Sequence, residues 1–270
     1  MPRRLSILAG TGSLVTHVIE AAQRAGDEIQ VIALMPQPDR PGVTVLPGDT
    51  RDPMSIIRTI RAFRSTHITL AGGVTLGDRA REGLSEFATG SPASAGDAVL
   101  SKMSAVVRTM TGARILGAHE VARDLLAPND RIAGADLTGQ QLKSARIALA
   151  AARDIGRLDL GQAVVVAGAR VVAAEDVGGT DELLHRVARH RQEGRIGDGV
   201  GPLILAKAAK PQQPLSVDLP AIGPDTVAKA AEAGISIIAV EAGKTLLLER
   251  AAMIEAAEKR GIAILGLKHG

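Results

Sequence analysis

The residues with the clearest potential for chemistry lie in the stretch from Lys207 to Thr226, KAAKPQQPLSVDLPAIGPDT. Asp218 stands there in an apolar neighbourhood, V-D-L-P. Burying a carboxylate without a partner is costly, so an acid in this setting needs a cation, a metal or a function. We interpret Asp218 as the catalytic acid of a site that hydrolyses a phosphate-containing substrate. Asp225 follows Pro224 in a first helical turn, where an acid favours the helix dipole, and we assign it a structural role.

Two further motifs in the C-terminal half suit the binding of a phosphate. Lys207 and Lys210 occupy a loop that ends in proline and follows an apolar run, so their ammonium groups suit a diphosphate. Gly179, Thr180 and Asp181 begin a helical pattern, and a Gly-Gly-Thr turn at a helix start offers N–H groups and a hydroxyl to a phosphate. Each motif also has a structural interpretation: a solvated charged loop for the lysines, and helix capping by Thr180 or Asp181 for the turn.

Two glycine turns in the N-terminal half are candidate substrate contacts. Gly10, Gly12 and Ser13 lie in a G-T-G-S turn between an apolar run and a helical pattern, and Gly72 and Gly73 end another apolar run. Ligands of open α/β sheets bind at the carboxyl ends of the strands, so both turns could approach a phosphate. The alternatives are plain strand–helix turns, with Ser13 as a helix cap.

Two isolated polar motifs give weaker chemical signals. His119, in GAHEV, could donate to a phosphate and the neighbouring Glu120 could hold a metal, with a helix start that has no chemistry as the alternative. Asp159 is flanked by leucines, so a metal or catalytic role competes with capping of a turn or pairing with Arg157.

Apolar runs that alternate with helical patterns predict an α/β fold with a doubly wound parallel sheet. We expect two α/β domains joined by a linker: a Rossmann-like domain with a parallel sheet over residues 1–130, and a mixed α/β catalytic domain over residues 135–270. The polar, turn-rich segment 127–134 is the candidate linker. The local expectations are helices capped by Asp52 and by Asp97, a helix over Asp78–Phe87, a capping box at Thr138 and Gln141, and a strand over Lys244–Leu248.

The composition excludes several classes of protein. Aromatic residues are 1% of the chain, with no Trp or Tyr, and the formal charge is +3, so neither base stacking nor a strong basic field indicates nucleic-acid binding. The absence of Cys excludes disulfides and Cys-ligated zinc. No apolar run approaches the roughly 20 residues that span a bilayer. We expect a cytoplasmic protein, peripheral to the inner membrane at most, with a homodimer as the default assembly.

The chain resembles the LpxI-type UDP-2,3-diacylglucosamine pyrophosphatases of lipid A biosynthesis over essentially its whole length. The stretches that carry the resemblance are AGTGSL (9–14), AGGV (71–74), GAHEV (117–121), IGRLDLGQAVVV (155–166), GGTDELLHRV (178–187), KAAKP (207–211), VDLPAIGPDTV (217–227) and AVEAGKTLLLER (239–250). The C-terminal stretches are longer and more specific than the N-terminal ones.

This resemblance implies two α/β domains that hold a lipid-linked UDP-sugar between them. It also implies hydrolysis of the diphosphate to UMP and 2,3-diacylglucosamine 1-phosphate with Mg²⁺. The family's essential acid falls on Asp218, its Gly-Thr-Asp turn on residues 179–181, and its K-x-x-K-P loop on Lys207 and Lys210. We therefore expect Asp218 to bind Mg²⁺ or to orient the attacking water, with the two lysines as electrostatic clamps. The sequence departs from the family at Gly73, where Asn is frequent, and at Ala98, where Gly-Asp-Asp becomes Gly-Asp-Ala.

Two other functions stay open from the residues alone. A nucleotide-dependent oxidoreductase would use the first glycine turn, although Val15 replaces the third glycine of the dinucleotide-binding fingerprint. A non-catalytic module for a nucleotide sugar or a lipid would bind its ligand without releasing UMP.

Overall fold

A computed structural model describes residues 2–74, 96–197, 199, 201–212 and 219–268 of the protein. These residues divide into two compact units, of which the first contains Met1–Asp124 and the second contains Leu125–Gln212 with Leu219–Gly270. Each unit is an α/β domain, as the sequence predicts. Asp218 and the helix predicted over Asp78–Phe87 lie outside the described residues.

The first unit is built on a five-stranded sheet. Its strands are β1 (Arg4–Ala9), β2 (Glu28–Ala33), β3 (Thr44–Pro47), β4 (His67–Ala71) and β5 (Arg114–Leu116). They lie in the order β3-β2-β1-β4-β5. Every pairing is parallel, which confirms the predicted parallel sheet. Short runs of aliphatic residues form the central strands because helices cover both faces of the sheet.

The α-helices that the structure describes in the first unit contribute to its core or follow its strands. They are α1 (Ser13–Arg24), α2 (Pro53–Ala62), α3 (Gly96–Thr111) and α4 (Ala118–Val121). Helix α1 packs on the face that carries Leu5 and Ile7, and α2 packs on the opposite face. Asp52 caps α2 as predicted, because its carboxylate accepts the N–H of Ser55 at 3.0 Å. Helix α3 begins at Gly96, and the side chain of Asp97, the predicted cap, lies outside what the structure describes.

The second unit has a six-stranded mixed sheet. Its strands are β6 (Arg131–Ala133), β7 (Ala163–Ala167), β8 (Arg170–Ala174), β9 (Leu203–Lys207), β11 (Ile235–Glu241) and β13 (Ala263–Leu267). They lie in the order β6-β13-β11-β9-β7-β8. Strands β9, β11 and β13 are parallel, whereas β7 and β8 form an antiparallel hairpin. Strand β6 lies within the candidate linker and pairs antiparallel with β13, so that segment is part of the second sheet.

Helices cover both faces of the second sheet. Helix α5 (Gly139–Arg157) packs on alternate strand residues such as Val164 and Ile204. The opposite face, which carries Val165 and Leu205, is covered by α6 (Gly179–Gln192), α7 (Pro224–Glu232) and α8 (Arg250–Lys259). The capping box is confirmed, since Thr138 Oγ1 accepts the Gln141 N–H at 3.3 Å and Gln141 Oε1 accepts the Thr138 N–H at 2.8 Å.

A small parallel sheet completes the second unit. It contains β10 (Ala221–Ile222) and β12 (Leu246–Leu247). The strand predicted over Lys244–Leu248 is therefore too long at both ends. Its beginning is a turn, in which the Lys244 N–H donates to the carbonyl oxygen of Glu241 at 3.2 Å. Among the helices that the structure describes, none has the length and hydrophobicity that a membrane span requires.

Candidate functional site

Four strands of the second sheet end at one edge, which we call the carboxyl edge of the second sheet. Strand β8 ends at Ala174, β9 at Lys207, β11 at Glu241 and β13 at Leu267. Strand β7 runs in the opposite direction and begins at this edge, because Ala163 pairs with Lys207. Ligands of open α/β sheets bind outside the carboxyl ends of strands. This edge is therefore the candidate site of the second unit.

Lys207 is a buried residue at the carboxyl edge. It is 6% exposed, and its ammonium donates a hydrogen bond to the carbonyl oxygen of Ala221 at 3.1 Å. Ala221 begins β10 and stands three residues after Asp218 in the chain. The interpretation of Lys207 as part of a solvated loop is wrong, since a buried strand end holds this cation.

Lys210 lies in the loop that follows β9 and is fixed by an acid from the end of α5. Its ammonium pairs with Asp159 Oδ1 at 2.6 Å. Asp159 has a left-handed backbone conformation with φ of 56°. The expected pairing of Asp159 with Arg157 is wrong, because Arg157 pairs with Asp154 at 2.5 Å. The Lys210 side chain is mostly covered, with 18% of its surface exposed.

The Gly-Gly-Thr-Asp turn follows β8 and begins α6 at the same edge. The Thr180 hydroxyl donates to Glu175 Oε1 at 2.6 Å, and the other carboxylate oxygen of Glu175 accepts the Gln162 N–H at 2.6 Å. The residue before Gly179, a glycine, is the helix N-cap and makes no side-chain capping bond, so capping by Thr180 or Asp181 is wrong. Asp181 forms an ion pair with the Lys229 ammonium.

Asp176 fixes the beginning of the same turn. Its carboxylate accepts the Gly178 N–H at 2.8 Å and pairs with the guanidinium of Arg186. The Gly178 N–H first, and Arg186 second, lower the pKa of Asp176 below its usual value. The turn is therefore held in place by two acids, Glu175 from inside and Asp176 from the surface.

A second buried acid at this edge, Glu241, was missed in the sequence. Its side chain is 2% exposed and accepts hydrogen bonds from Arg153, Lys244 and the backbone N–H of Ala209. The available signal was the same one that singles out Asp218. Glu241 directly follows a run of apolar residues, ISIIAV, and a carboxylate in that setting needs partners.

The described residues at the carboxyl edge do not form a metal cage by themselves. Glu175 and Glu241 are both buried, and each of their four carboxylate oxygens accepts a hydrogen bond. In the part of the chain that the structure describes, no group of three or more His, Asp or Glu side chains could hold a metal ion. These acids organise the protein and do not fit a resident Mg²⁺.

The two glycine turns of the first unit contact each other. The Thr11 N–H donates to the Gly73 carbonyl oxygen at 2.7 Å, and the Gly73 N–H donates to the Thr11 oxygen at 2.9 Å. A Cβ on Gly10 would lie 2.3 Å from the Gly73 oxygen, and one on Gly72 would lie 2.3 Å from the Thr11 oxygen. Close backbone packing therefore requires glycine at Gly10 and Gly72, whatever ligand the turns bind.

The N-terminal end of α1 is the part of the first glycine turn that a ligand could approach. Gly12 is the N-cap with φ of 97° and forms no side-chain capping bond, so the cap expected at Ser13 is wrong. A Cβ at Gly12 would meet nothing within 4 Å. The first N–H groups of a helix have no partner within the helix, so this end of α1 suits an anion.

His119 follows β5 and lies in the short helix α4. Its Nδ1 is buried without a hydrogen-bond partner among the described residues, and burial lowers its pKa. Burial therefore favours the neutral form of the imidazole. Glu120 has the structural role that was the alternative to metal binding. Its carboxylate accepts the Gly117 N–H at 2.9 Å and pairs with Arg114 at 3.2 Å.

Two solved structures share a weak likeness with this chain. The Bordetella bronchiseptica enzyme WbmG in complex with NAD and UDP has 19% identity and a TM-score of 0.30, over 44% of this chain and 38% of that one. The Thermus thermophilus UDP-glucose 4-epimerase in complex with NAD has 17% identity and a TM-score of 0.29, over 50% and 41%. Scores at this level support no statement about this protein.

Sequence relatives are much more informative. The family described as LpxI N-terminal domain matches residues 4–125, and LpxI C-terminal domain matches residues 128–265. A Caulobacter vibrioides protein named UDP-2,3-diacylglucosamine pyrophosphatase LpxI is 34% identical in an alignment of 290 positions, gaps included, that covers 98% of each chain. Both domains and their order are therefore shared along the whole length. The chain belongs to the LpxI family.

Proposed function

We propose that this protein hydrolyses the diphosphate bond of UDP-2,3-diacylglucosamine and releases UMP and 2,3-diacylglucosamine 1-phosphate. The observation that carries the proposal is the alignment with the named Caulobacter pyrophosphatase over 98% of both chains. The reaction is a hydrolysis of a phosphoric anhydride and is a step of lipid A biosynthesis. A binding module of the same fold would retain its ligand unchanged.

The carboxyl edge of the second sheet supplies the positive charge that this reaction needs. Phosphoryl transfer depends on the alignment of the attacking water and on neutralisation of charge on the phosphoryl oxygens. Lys207 and Lys210 lie at this edge, each held by an oxygen of the protein. In the proposal their ammonium groups face the diphosphate, and the first turn of α6, from Gly179, adds backbone N–H groups.

The acid in the V-D-L-P motif completes the proposal. Asp218, which stands outside the described residues, is proposed to bind Mg²⁺ or to orient the attacking water. Mg²⁺ keeps several waters and takes one or two carboxylates together with substrate phosphates, so one acid suffices for it in the protein. When bound, the ion would neutralise charge on the diphosphate.

An assay of UMP release with two matched aspartate variants tests this proposal. Asp218→Asn should fold like the wild type and lose turnover. Asp225→Asn is the control, because Asp225 lies in the first turn of α7 and has a structural role. Its activity should stay near that of the wild type. Near-normal turnover in Asp218→Asn would contradict the catalytic role of Asp218. Activity that is unchanged by chelation of Mg²⁺ would contradict a role of the metal in the reaction.

The first unit is proposed to bind the nucleotide part of the substrate. The support is the open, uncapped start of α1 at Gly12 and Ser13, together with His119, whose neutral imidazole can donate a hydrogen bond. Gly73 holds this turn in shape through backbone hydrogen bonds with Thr11, and Gly72 packs closely against it. Lower affinity for UMP in His119→Ala, measured by calorimetry, is the expected result, and unchanged affinity would contradict it.

We also propose that the protein is cytoplasmic and associates with a membrane surface as a homodimer. The support for membrane contact is a set of exposed apolar side chains on the second unit: Leu158 is 70% exposed, Leu160 58% and Val177 98%. Burial of such residues in a lipid interface is favourable. The variant Leu158→Gln/Leu160→Gln should bind vesicles of phosphatidylethanolamine and phosphatidylglycerol more weakly. Val171→Thr should not, because Val171 lies near the start of β8, at the end of the sheet opposite to the carboxyl edge. Light scattering on the full chain measures the molar mass in solution and so tests the homodimer.

A further inference from the structure

Glu241 is a buried acid for which the proposed reaction has no stated use. It is the last residue of β11 and is 2% exposed, yet it lies at the carboxyl edge where Lys207 ends the adjacent strand β9. A buried carboxylate is retained only when its partners compensate for lost hydration. Its partners therefore indicate its role.

The two oxygens of Glu241 serve different partners. Oε1 accepts hydrogen bonds from Arg153 Nη1 at 2.7 Å and from Lys244 Nζ at 2.9 Å. Oε2 accepts the backbone N–H of Ala209 at 3.1 Å. The partners come from α5, from the loop after β9 and from the turn after β11, so one carboxylate joins three separate segments.

The bond to Ala209 fixes the loop that carries a proposed substrate contact. Ala209 immediately precedes Lys210 in this loop. The Ala208 N–H is also held, by the carbonyl oxygen of Gln162 at 3.0 Å. Consecutive amides of the loop are thus anchored, and the Lys210 backbone has little freedom to move.

The bonds to Oε1 bring two further cations to the same edge. The Arg153 side chain is 15% exposed, whereas that of Lys244 is 40% exposed and can reach a ligand. Two cations against one carboxylate leave a net positive charge, which attracts an anion in a partly water-excluded site.

We infer that Glu241 is a positioning residue that holds the Ala208–Lys210 loop and the Lys244 ammonium at the carboxyl edge, where Lys244 contacts a phosphate of the substrate. This inference rests on the proposed function, since the reaction supplies the diphosphate. The competing explanation is a buried ion pair that serves stability alone.

Glu241→Gln is the variant that separates these explanations. The amide keeps the size of the side chain but has one acceptor oxygen in place of two. It therefore cannot accept hydrogen bonds both from the two cations and from the Ala209 N–H. Small displacements of groups that position a substrate cost up to about 100-fold in rate. We expect kcat/KM for UMP release to fall by about 10- to 100-fold, and the Ala209 amide to exchange its hydrogen faster. Glu255→Gln, an exposed pair with Lys259, is the matched control and should change neither.

Lys244→Met removes the cation and its bond to Glu241 Oε1, and it leaves the Glu241 side chain with its bonds from Arg153 and Ala209. The Lys244 side chain is partly exposed, so the fold should tolerate the change. We expect a rise in KM for the lipid substrate with a smaller change in kcat. An unchanged KM would overturn the contact between Lys244 and the phosphate.

The outcomes distinguish a failure of this inference from a failure of the proposed function. If the wild type releases no UMP, the proposed function fails. If the wild type is active and Glu241→Gln is equally active below its melting temperature, the positioning role is overturned. Unchanged exchange at the Ala209 amide overturns it as well, whatever the activity.

Discussion

Thr180→Val should destabilise the second unit, because the Thr180 hydroxyl donates a hydrogen bond at 2.6 Å to a buried carboxylate. Valine keeps the shape of the side chain but has no donor. Glu175, which is 8% exposed, would keep only its bond from the Gln162 N–H. Little water reaches this acid, so the missing bond would not be replaced and its carboxylate would stay partly unsatisfied.

The expected loss follows from the charge of the acceptor. A hydrogen bond to a charged group contributes about 1.5–3 kcal/mol net. Thr180 is half-buried, so we expect the lower half of that range, about 1.5–2 kcal/mol. In domains of this size class, each kcal/mol shifts the melting temperature by roughly 2–4 °C. We therefore predict a fall of about 3–8 °C.

Thermal unfolding followed by far-ultraviolet circular dichroism measures this shift, since the chain has no Trp or Tyr for intrinsic fluorescence. Thr109→Val is the control, because the exposed Thr109 hydroxyl donates only to a carbonyl of its own helix, at 2.9 Å. It should change the stability by less than about 0.5 kcal/mol. A double-mutant cycle with Glu175→Gln isolates the pairwise term. A melting temperature for Thr180→Val equal to that of the wild type would refute the reasoning.

Three further predictions follow from single contacts. Lys207→Met should lower kcat/KM for UMP release by about 100-fold or more, as the loss of one transition-state donor does elsewhere, while Lys259→Met, in an exposed ion pair with Glu255 on α8, should lower it little. Gly10→Ala should destabilise the first unit by about 1–3 kcal/mol through overpacking, whereas Gly139→Ala, with open space around it, should not; urea unfolding distinguishes them. Asp176→Asn should be less stable than the wild type near neutral pH. This difference in stability should vanish as the pH falls through the lowered pKa of Asp176, because only the ionised carboxylate contributes the stabilisation. Melting temperatures measured across the acidic range check the sign.

The sequence predicted those parts of the fold that depend on short-range signals. The caps at Asp52 and Thr138 use partners three residues away. Strand β1 can be predicted from the apolar side chains of its own residues alone. Strand β6 escaped prediction because three residues, R-I-A, in a polar segment carry no periodicity. Their strand conformation comes from pairing with β13, which lies more than a hundred residues later in the chain.

The candidate site was predictable where chemistry is tied to a strand end and unpredictable where it depends on distant partners. Lys207 and Lys210 were identified from their position after an apolar run. Their surroundings were not, because Asp159 is 51 residues from Lys210 in the chain, and Arg153 is 88 residues from Glu241. Glu241 itself carried a readable signal, an acid at the end of an apolar strand. Only the folded chain shows which cations meet it.

The measurement that tests the central proposal most directly is product analysis with purified full-length protein and UDP-2,3-diacylglucosamine. We expect UMP and 2,3-diacylglucosamine 1-phosphate to form in equal amounts, identified by mass spectrometry and quantified by chromatography. Substrate recovered intact after binding, or release of UDP in place of UMP, would contradict hydrolysis of the diphosphate bond.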